Sequence, residues 1–229
     1  MLLLATAAPA ALQVTPVHGA ARTWTGLGVT NNWSEAANWS GSAVPVAADT
    51  VAFDGSGTKN VTIDASASVL GVAVNAGYTG VITQASGRTL TVGASGLTQS
   101  DGTFSGGDSA ITVNGAFTLN AGSFTSTTGT LRVTAAFTLA GGAFAPNGGT
   151  VAFATSTANI DLAGTKSFAN VTFVSAAKTI LAGSTMVVTG ALTHTAGTLT
   201  LAGAATVTGA LTLTDGTLNT GTLSAQGNI

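Results

Sequence analysis

The chain has 229 residues with six Lys+Arg, eight Asp+Glu and a formal net charge of -2, so only 6% of it is charged, against about a quarter in ordinary soluble proteins. So few cations cannot form the row of phosphate contacts that nucleic-acid binding needs, and zero cysteine excludes disulfides, thiolate metal sites and cysteine nucleophiles. Glycine contributes 31 residues and threonine is more numerous still, so the polar surface is made of hydroxyls and backbone amides, a β-forming composition.

The chain opens on the apolar run Met1-Leu2-Leu3-Leu4-Ala5, extended to Leu12 and followed by small residues at Gly19-Ala20-Ala21. The run is too short to span a bilayer and has the form of a secretory signal over residues 1–21, which predicts export. Residues 22–59 differ in composition from the remainder of the chain. All three tryptophans are here, in Thr23-Trp24-Thr25-Gly26 and in the duplicated Asn32-Trp33-Ser34 and Asn38-Trp39-Ser40, with Val44-Pro45 and Asp49-Thr50-Val51-Ala52-Phe53-Asp54 after them. This stretch reads as a module that caps a stacked array, which needs an atypical unit over its first core layer.

Residues 60–229 are repetitive. Gly115-Ala116-Phe117-Thr118-Leu119 recurs as Ala135-Ala136-Phe137-Thr138-Leu139, a shift of 20, and Gly190-Ala191-Leu192-Thr193-His194 recurs as Gly209-Ala210-Leu211-Thr212-Leu213, a shift of 19. Each period holds three short alternating segments. The first contains Ile111/Val113, Leu131/Val133, Val151/Phe153, Met186/Val188 and Ala205/Val207; the second contains Phe117/Leu119, Phe137/Leu139, Leu192/His194 and Leu211/Leu213; the third contains Phe124, Phe144, Leu199 and Leu218. Period-two alternation buries these residues on one side of strands only about four or five residues long. The pattern predicts an all-β fold, a parallel β-helix of about eight coils and about 40 Å in length, right-handed by the general preference for such crossovers. The strands are about half as long as those of a membrane barrel, and the period is half that of a propeller blade. The register is open over 60–95 and 155–185, and the end at Gln226-Gly227-Asn228-Ile229 reads as the start of a further coil. Continuation in a longer chain, or end-to-end self-association, would cover that end.

Chemistry-bearing residues are few. Once a leader is removed His194 is the sole histidine, and its phase places it on the inward side or at a corner, where it reads as a satisfied core residue. The carboxylates Glu35, Asp49, Asp54, Asp64, Asp101, Asp108, Asp161 and Asp215 do not recur at one outward phase, so no pair for glycoside hydrolysis is formed on a clear strand. Gly106-Gly107-Asp108 and Asp54-Gly55-Ser56-Gly57 read as turns, since neither the iterated calcium nonapeptide nor the phosphate-loop spacing is present. No catalytic, cofactor or metal residues are assigned, and the expectation is a non-enzymatic chain.

Two alternatives carry residues. Trp24, Trp33 and Trp39 could stack on sugar rings or form the core of the opening module. Thr118, Thr138, Thr193 and Thr212 fall at one equivalent outward phase and would stack as a ladder, which could order water or ice or could reflect ordinary β-propensity.

The opening module, from Thr23-Trp24-Thr25-Gly26 through the two Asn-Trp-Ser triplets to Asp49-Thr50-Val51-Ala52-Phe53-Asp54, resembles the start of passenger regions in bacterial autotransporter-type surface proteins. The Gly-Ala-Leu-Thr and Ala/Asp-Gly-Thr-Leu repeats at 190–218 resemble the coils of those passengers and of filamentous-haemagglutinin-like adhesins. The resemblance implies a β-helix secreted to the bacterial surface, with an adhesive role toward surface glycans or proteins, and it assigns no functional residue.

Overall fold

A computed structural model describes residues 19–154, 158–174, 177–219 and 221–229. The signal-peptide reading falls almost wholly outside the described residues. The fold is a parallel β-solenoid of about eight turns, each with three strands, and almost no helix. Every strand pair is parallel, and most strands hold only three to five residues because the chain turns a corner after each.

Three faces result. The first carries Thr50–Phe53, residues 71–74 and 96–99, Phe117–Leu119, Phe137–Leu139, Ala158–Asp161, Lys178–Ile180, Thr198–Leu201 and Thr217–Asn219. The second carries residues 67–69 and 90–92, then Ile111–Val113, Thr130–Val133, Thr150–Phe153, Asn170–Phe173, Leu192–His194 and Leu211–Leu213. The third runs from Val61–Ile63 through Val81–Gln84, Thr103–Ser105 and Ser123–Thr125 to Ala143–Ala145. It resumes as a separate sheet of Gly164–Phe168, Ser184–Val188, Ala204–Val207 and Thr222–Ala225.

The inward residues stack on their equivalents one coil away, so like side chains meet. Phe104 lies 4.7 Å from Phe124 with rings 10° apart, Phe117 lies 5.0 Å from Phe137 at 15°, and Phe153 lies 5.3 Å from Phe173 at 19°. These offset stacks add to the roughly 1.5–3 kcal/mol that burying each such side chain contributes.

The strand assignments from sequence need one correction. Leu192/His194 and Leu211/Leu213 continue the face of Val151/Phe153 and Val171/Phe173, not that of Phe117 and Phe137. Met186/Val188 and Ala205/Val207 lie on the third face, and Leu199 and Leu218 on the first. The two clear halves of the repeat are thus displaced by one strand. The spacing changes between them on two faces only: Phe137 and its partner Ile160 are 23 positions apart where Phe117 and Phe137 are 20 apart, while Val151, Val171 and Leu192 keep spacings of 20 and 21. A fixed period measures how often a coil returns, but three similar strands per coil do not say which face is being read.

The opening residues join this architecture directly. Ala21–Thr23 pairs in parallel with Thr50–Ala52, which pairs with residues 71–73. Trp24, Trp33 and Trp39 are buried, with relative exposures of 0%, 3% and 2%. Trp39 meets Trp24 edge to face at 5.1 Å and Trp33 at 4.7 Å, and all three pack against Phe53. The Trp39 indole N–H donates to the Trp33 carbonyl at 2.7 Å, and that of Trp24 to the Lys59 carbonyl at 2.9 Å.

Candidate functional site

The eight carboxylates have a common use. Each of the eight accepts at least one backbone N–H. Four of them reach back to the preceding coil: Asp49 accepts from Ala20 N at 2.7 Å, Asp64 from Ser34 N at 3.0 Å, Asp101 from Gly77 N at 2.9 Å and Asp108 from Gly87 N at 2.7 Å. The other four close their own turns, with Glu35 on Val29 and Thr30, Asp54 on Ser56, Asp161 on Ala163 and Asp215 on Gly216. A corner that turns sharply leaves N–H groups outside the strand ladder, and a carboxylate is their strongest acceptor.

These bonds set the local electrostatics. The Ser86 hydroxyl, the Gly87 N–H and the Ser109 hydroxyl hold Asp108 down to about 2. Thr30 and the Val29 N–H keep Glu35 below its ordinary value, Ser56 does so for Asp54, and the Gly77 and Gly102 N–H groups do so for Asp101. For Asp49 and Asp64 burial pulls upward most strongly, yet hydrogen bonds from Ala20, Val46 and Arg22, and from Ser34, outweigh it. The Asp49–Arg22 ion pair, at 3.4 Å, ties the opening strand to the corner at Asp49.

Inside the coils several polar residues occupy apolar phases. Gln84 donates to the Arg88, Ser109 and Ala110 carbonyls and accepts from Gly107 N, while Gln99 donates to the Asp101, Gly102 and Ser123 carbonyls. Thr127, fully buried, donates to Gly107 and Ser109 carbonyls. Each spans adjacent coils at a corner, where main-chain carbonyls point inward and need donors. Sequence reading passes over them; the signal is a polar side chain two residues after an inward apolar one, in Ile82-Thr83-Gln84 and Leu97-Thr98-Gln99. Lys178 is also buried, in the inward row between Ala158 and Leu199, and burial lowers its pKa.

His194 is inward, 2% exposed, in the row after Phe153 and Phe173, with the Phe173 ring 6.3 Å away. Its two ring nitrogens have no hydrogen-bond partner among the described residues, so it is a core histidine without the satisfied contacts expected of it. Among the described residues no group of three His, Cys, Asp or Glu side chains could hold a metal ion. No described helix is long and apolar enough to cross a membrane.

The tryptophans, at 0–3% exposure, present no open ring face to a sugar. The expected single threonine ladder is two separate ones. Thr118 and Thr138 stand on the first face in the row Ala73, Thr98, Thr118, Thr138, Asp161. Thr193 and Thr212 stand on the second, in the row Thr112, Arg132, Ala152, Thr172, Thr193, Thr212. Neither row exceeds three consecutive threonines. At the far end, Leu211, Leu213, Leu218 and Leu223 line an apolar recess, and Leu213 is 50% exposed. Compared with known protein families, with curated proteins and with solved structures, the chain gives no match.

Proposed function

We propose that the chain is a non-enzymatic, extracellular structural module of a bacterial surface or secreted protein, a stiff spacer whose faces make any contact with glycans or proteins by area and not through a pocket. One observation carries the reading: all eight carboxylates are engaged by backbone N–H groups. Acid–base chemistry needs carboxyl groups aimed at a substrate, and these are aimed at the main chain. The repetitive, nearly uncharged faces suit a rod that holds other parts at a distance, and the apolar start Met1–Leu12 and the resemblance to adhesin coils support an exported location.

The test has two parts. An antibody against the folded chain should label intact, unpermeabilised source cells or their medium, and X-ray scattering from the purified chain should give an elongated particle. Labelling confined to permeabilised cells would overturn the location. Turnover of a polysaccharide by the purified chain, abolished by Asp161→Asn or Asp215→Asn with folding intact, would overturn the non-enzymatic reading.

A further inference from the structure

We infer that the solenoid has a built-in hinge at the seam in its third face, where the rod opens about the first and second faces. Elsewhere on the third face each strand pairs residue for residue with the next: Ser123–Thr125 with Ala143–Ala145, and Gly164–Phe168 with Ser184–Val188. Between Ala143–Ala145 and Gly164–Phe168 the ladder stops, and the two strands belong to different sheets. The other two faces pass the same level unbroken, through Phe137–Leu139 to Ala158–Asp161 and through Thr150–Phe153 to Asn170–Phe173.

The backbone explains the interruption. Phe124 and its partner Phe144 are 20 positions apart, but Phe144 and Phe168, the next inward aromatic, are 24 apart. The extra positions lie between Phe153 and Ile160, which are seven apart where Val133 and Phe137 are four apart, and between Ile160 and Phe168; tight left-handed turns stand on both lips. Asn147 (φ 53°) precedes Gly148 (φ 74°) just after the lower strand, and Ala163 (φ 44°) precedes Gly164 (φ 105°) at the start of the upper one. Asn147 and Ala163 are two of the three non-glycine residues with positive φ among those described, a conformation that persists only where surrounding structure imposes it.

Aromatic contact bridges the gap where hydrogen bonds do not. The Phe144 and Phe168 rings are 5.5 Å apart at 45°, outside the parallel stacking seen between Phe104 and Phe124. Phe144 is only half-buried, and Ala143 and Ala145 beside it are exposed. Lys166, at an inward phase in register with the buried Met186, is half-exposed. A rod with two continuous sheets and one interrupted sheet bends in one direction, toward opening of the third face. The inference stands whether or not the module is a spacer.

Two measurements on the folded chain test it. Amide hydrogen exchange in Ala143–Ala145 and Gly164–Phe168 should be at least about tenfold faster than in Ser123–Thr125 and Ser184–Val188, as expected of a locally opening unit. Spin labels on the third face, at Thr83→Cys and Thr206→Cys, should give a broader distance distribution than labels at Ala73→Cys and Thr200→Cys on the first face, and Phe144→Ala should broaden the third-face distribution further. Equal widths for the two pairs, or lips as protected as the flanking strands, would overturn the hinge.

Discussion

Removing the Trp39 indole gives the sharpest test of how the opening residues are used. Its ring is 2% exposed, stands edge to face with Trp24 and Trp33, and satisfies the Trp33 carbonyl at 2.7 Å. A buried tryptophan removes about 150–250 Å² from water, which at about 25 cal/mol per Å² corresponds to about 4–6 kcal/mol. Trp39→Ala keeps part of that area but leaves the Trp33 carbonyl without its donor, a further cost of about 1–3 kcal/mol, so a loss of about 4–6 kcal/mol is expected. Trp39→Phe retains most of the packing and loses the hydrogen bond, for about 1–3 kcal/mol. In a stacked array each coil contacts only its neighbours, so the loss should be local. Urea unfolding followed by far-ultraviolet circular dichroism gives the total, and hydrogen exchange gives its location: protection should fall in Ala21–Thr23, Thr50–Phe53 and Val61–Ile63 and persist in Thr130–Val133. A change below about 1 kcal/mol for Trp39→Ala, or loss of protection spread evenly along the chain, would refute the reasoning.

Three further outcomes rest on the geometry. A Cβ on Gly96 (φ 74°) would lie 2.3 Å from the Ala116 carbonyl oxygen, whereas one on Gly87 (φ 71°) meets nothing within 4 Å. Gly87→Ala should therefore cost only the left-handed penalty of about 1–2 kcal/mol and Gly96→Ala clearly more, measured by urea midpoints; equal costs would refute the clash. Asp108 has a folded pKa of about 2, below its value of 3.8 for a free side chain, so its contribution is complete above the higher value and is lost as pH falls through the lower. Asp108→Asn should destabilise at pH 7, by an amount that shrinks as pH falls below 3.8 and vanishes only below about 2, and a difference that does not shrink on acidification would count against it. Thr138 stands in register with Asp161, whereas Thr193 stands between Thr172 and Thr212. Thr138→Lys should be more stable than Thr138→Asp by roughly 0.2–1 kcal/mol, with no such gap between the same substitutions at Thr193; equal gaps at the two sites would refute the register.

The last comparison marks where sequence stops being sufficient. Composition, the alternation of Phe117 with Leu119 or Leu131 with Val133, and a return every 19 or 20 residues fix a stacked β array, because period two and a constant coil length are properties of the chain taken by itself. Scarcity of charge belongs to the same logic, since identical neighbours one coil away would repel. The turn role of Asp54 was readable because turn chemistry is local too, whereas Asp108, also read as a turn residue, holds Ser86 and Gly87 of the preceding coil. Three things were not. Which face a strand occupies depends on how many residues the corners absorb, and the three extra positions between Phe137 and Ile160 put the later strands of the first face out of step with those of the second, which keeps its period through Val151, Val171 and Leu192. Which backbone groups lie within reach of Asp101 or Gln84 depends on the neighbouring coil, more than 20 residues away. The seam between Ala143–Ala145 and Gly164–Phe168 is a mismatch between neighbouring coils, and a mismatch exists only once the coils are stacked. Local pattern therefore determined the kind of coil, and stacking alone decided its phase, its internal brackets and the place where it can bend.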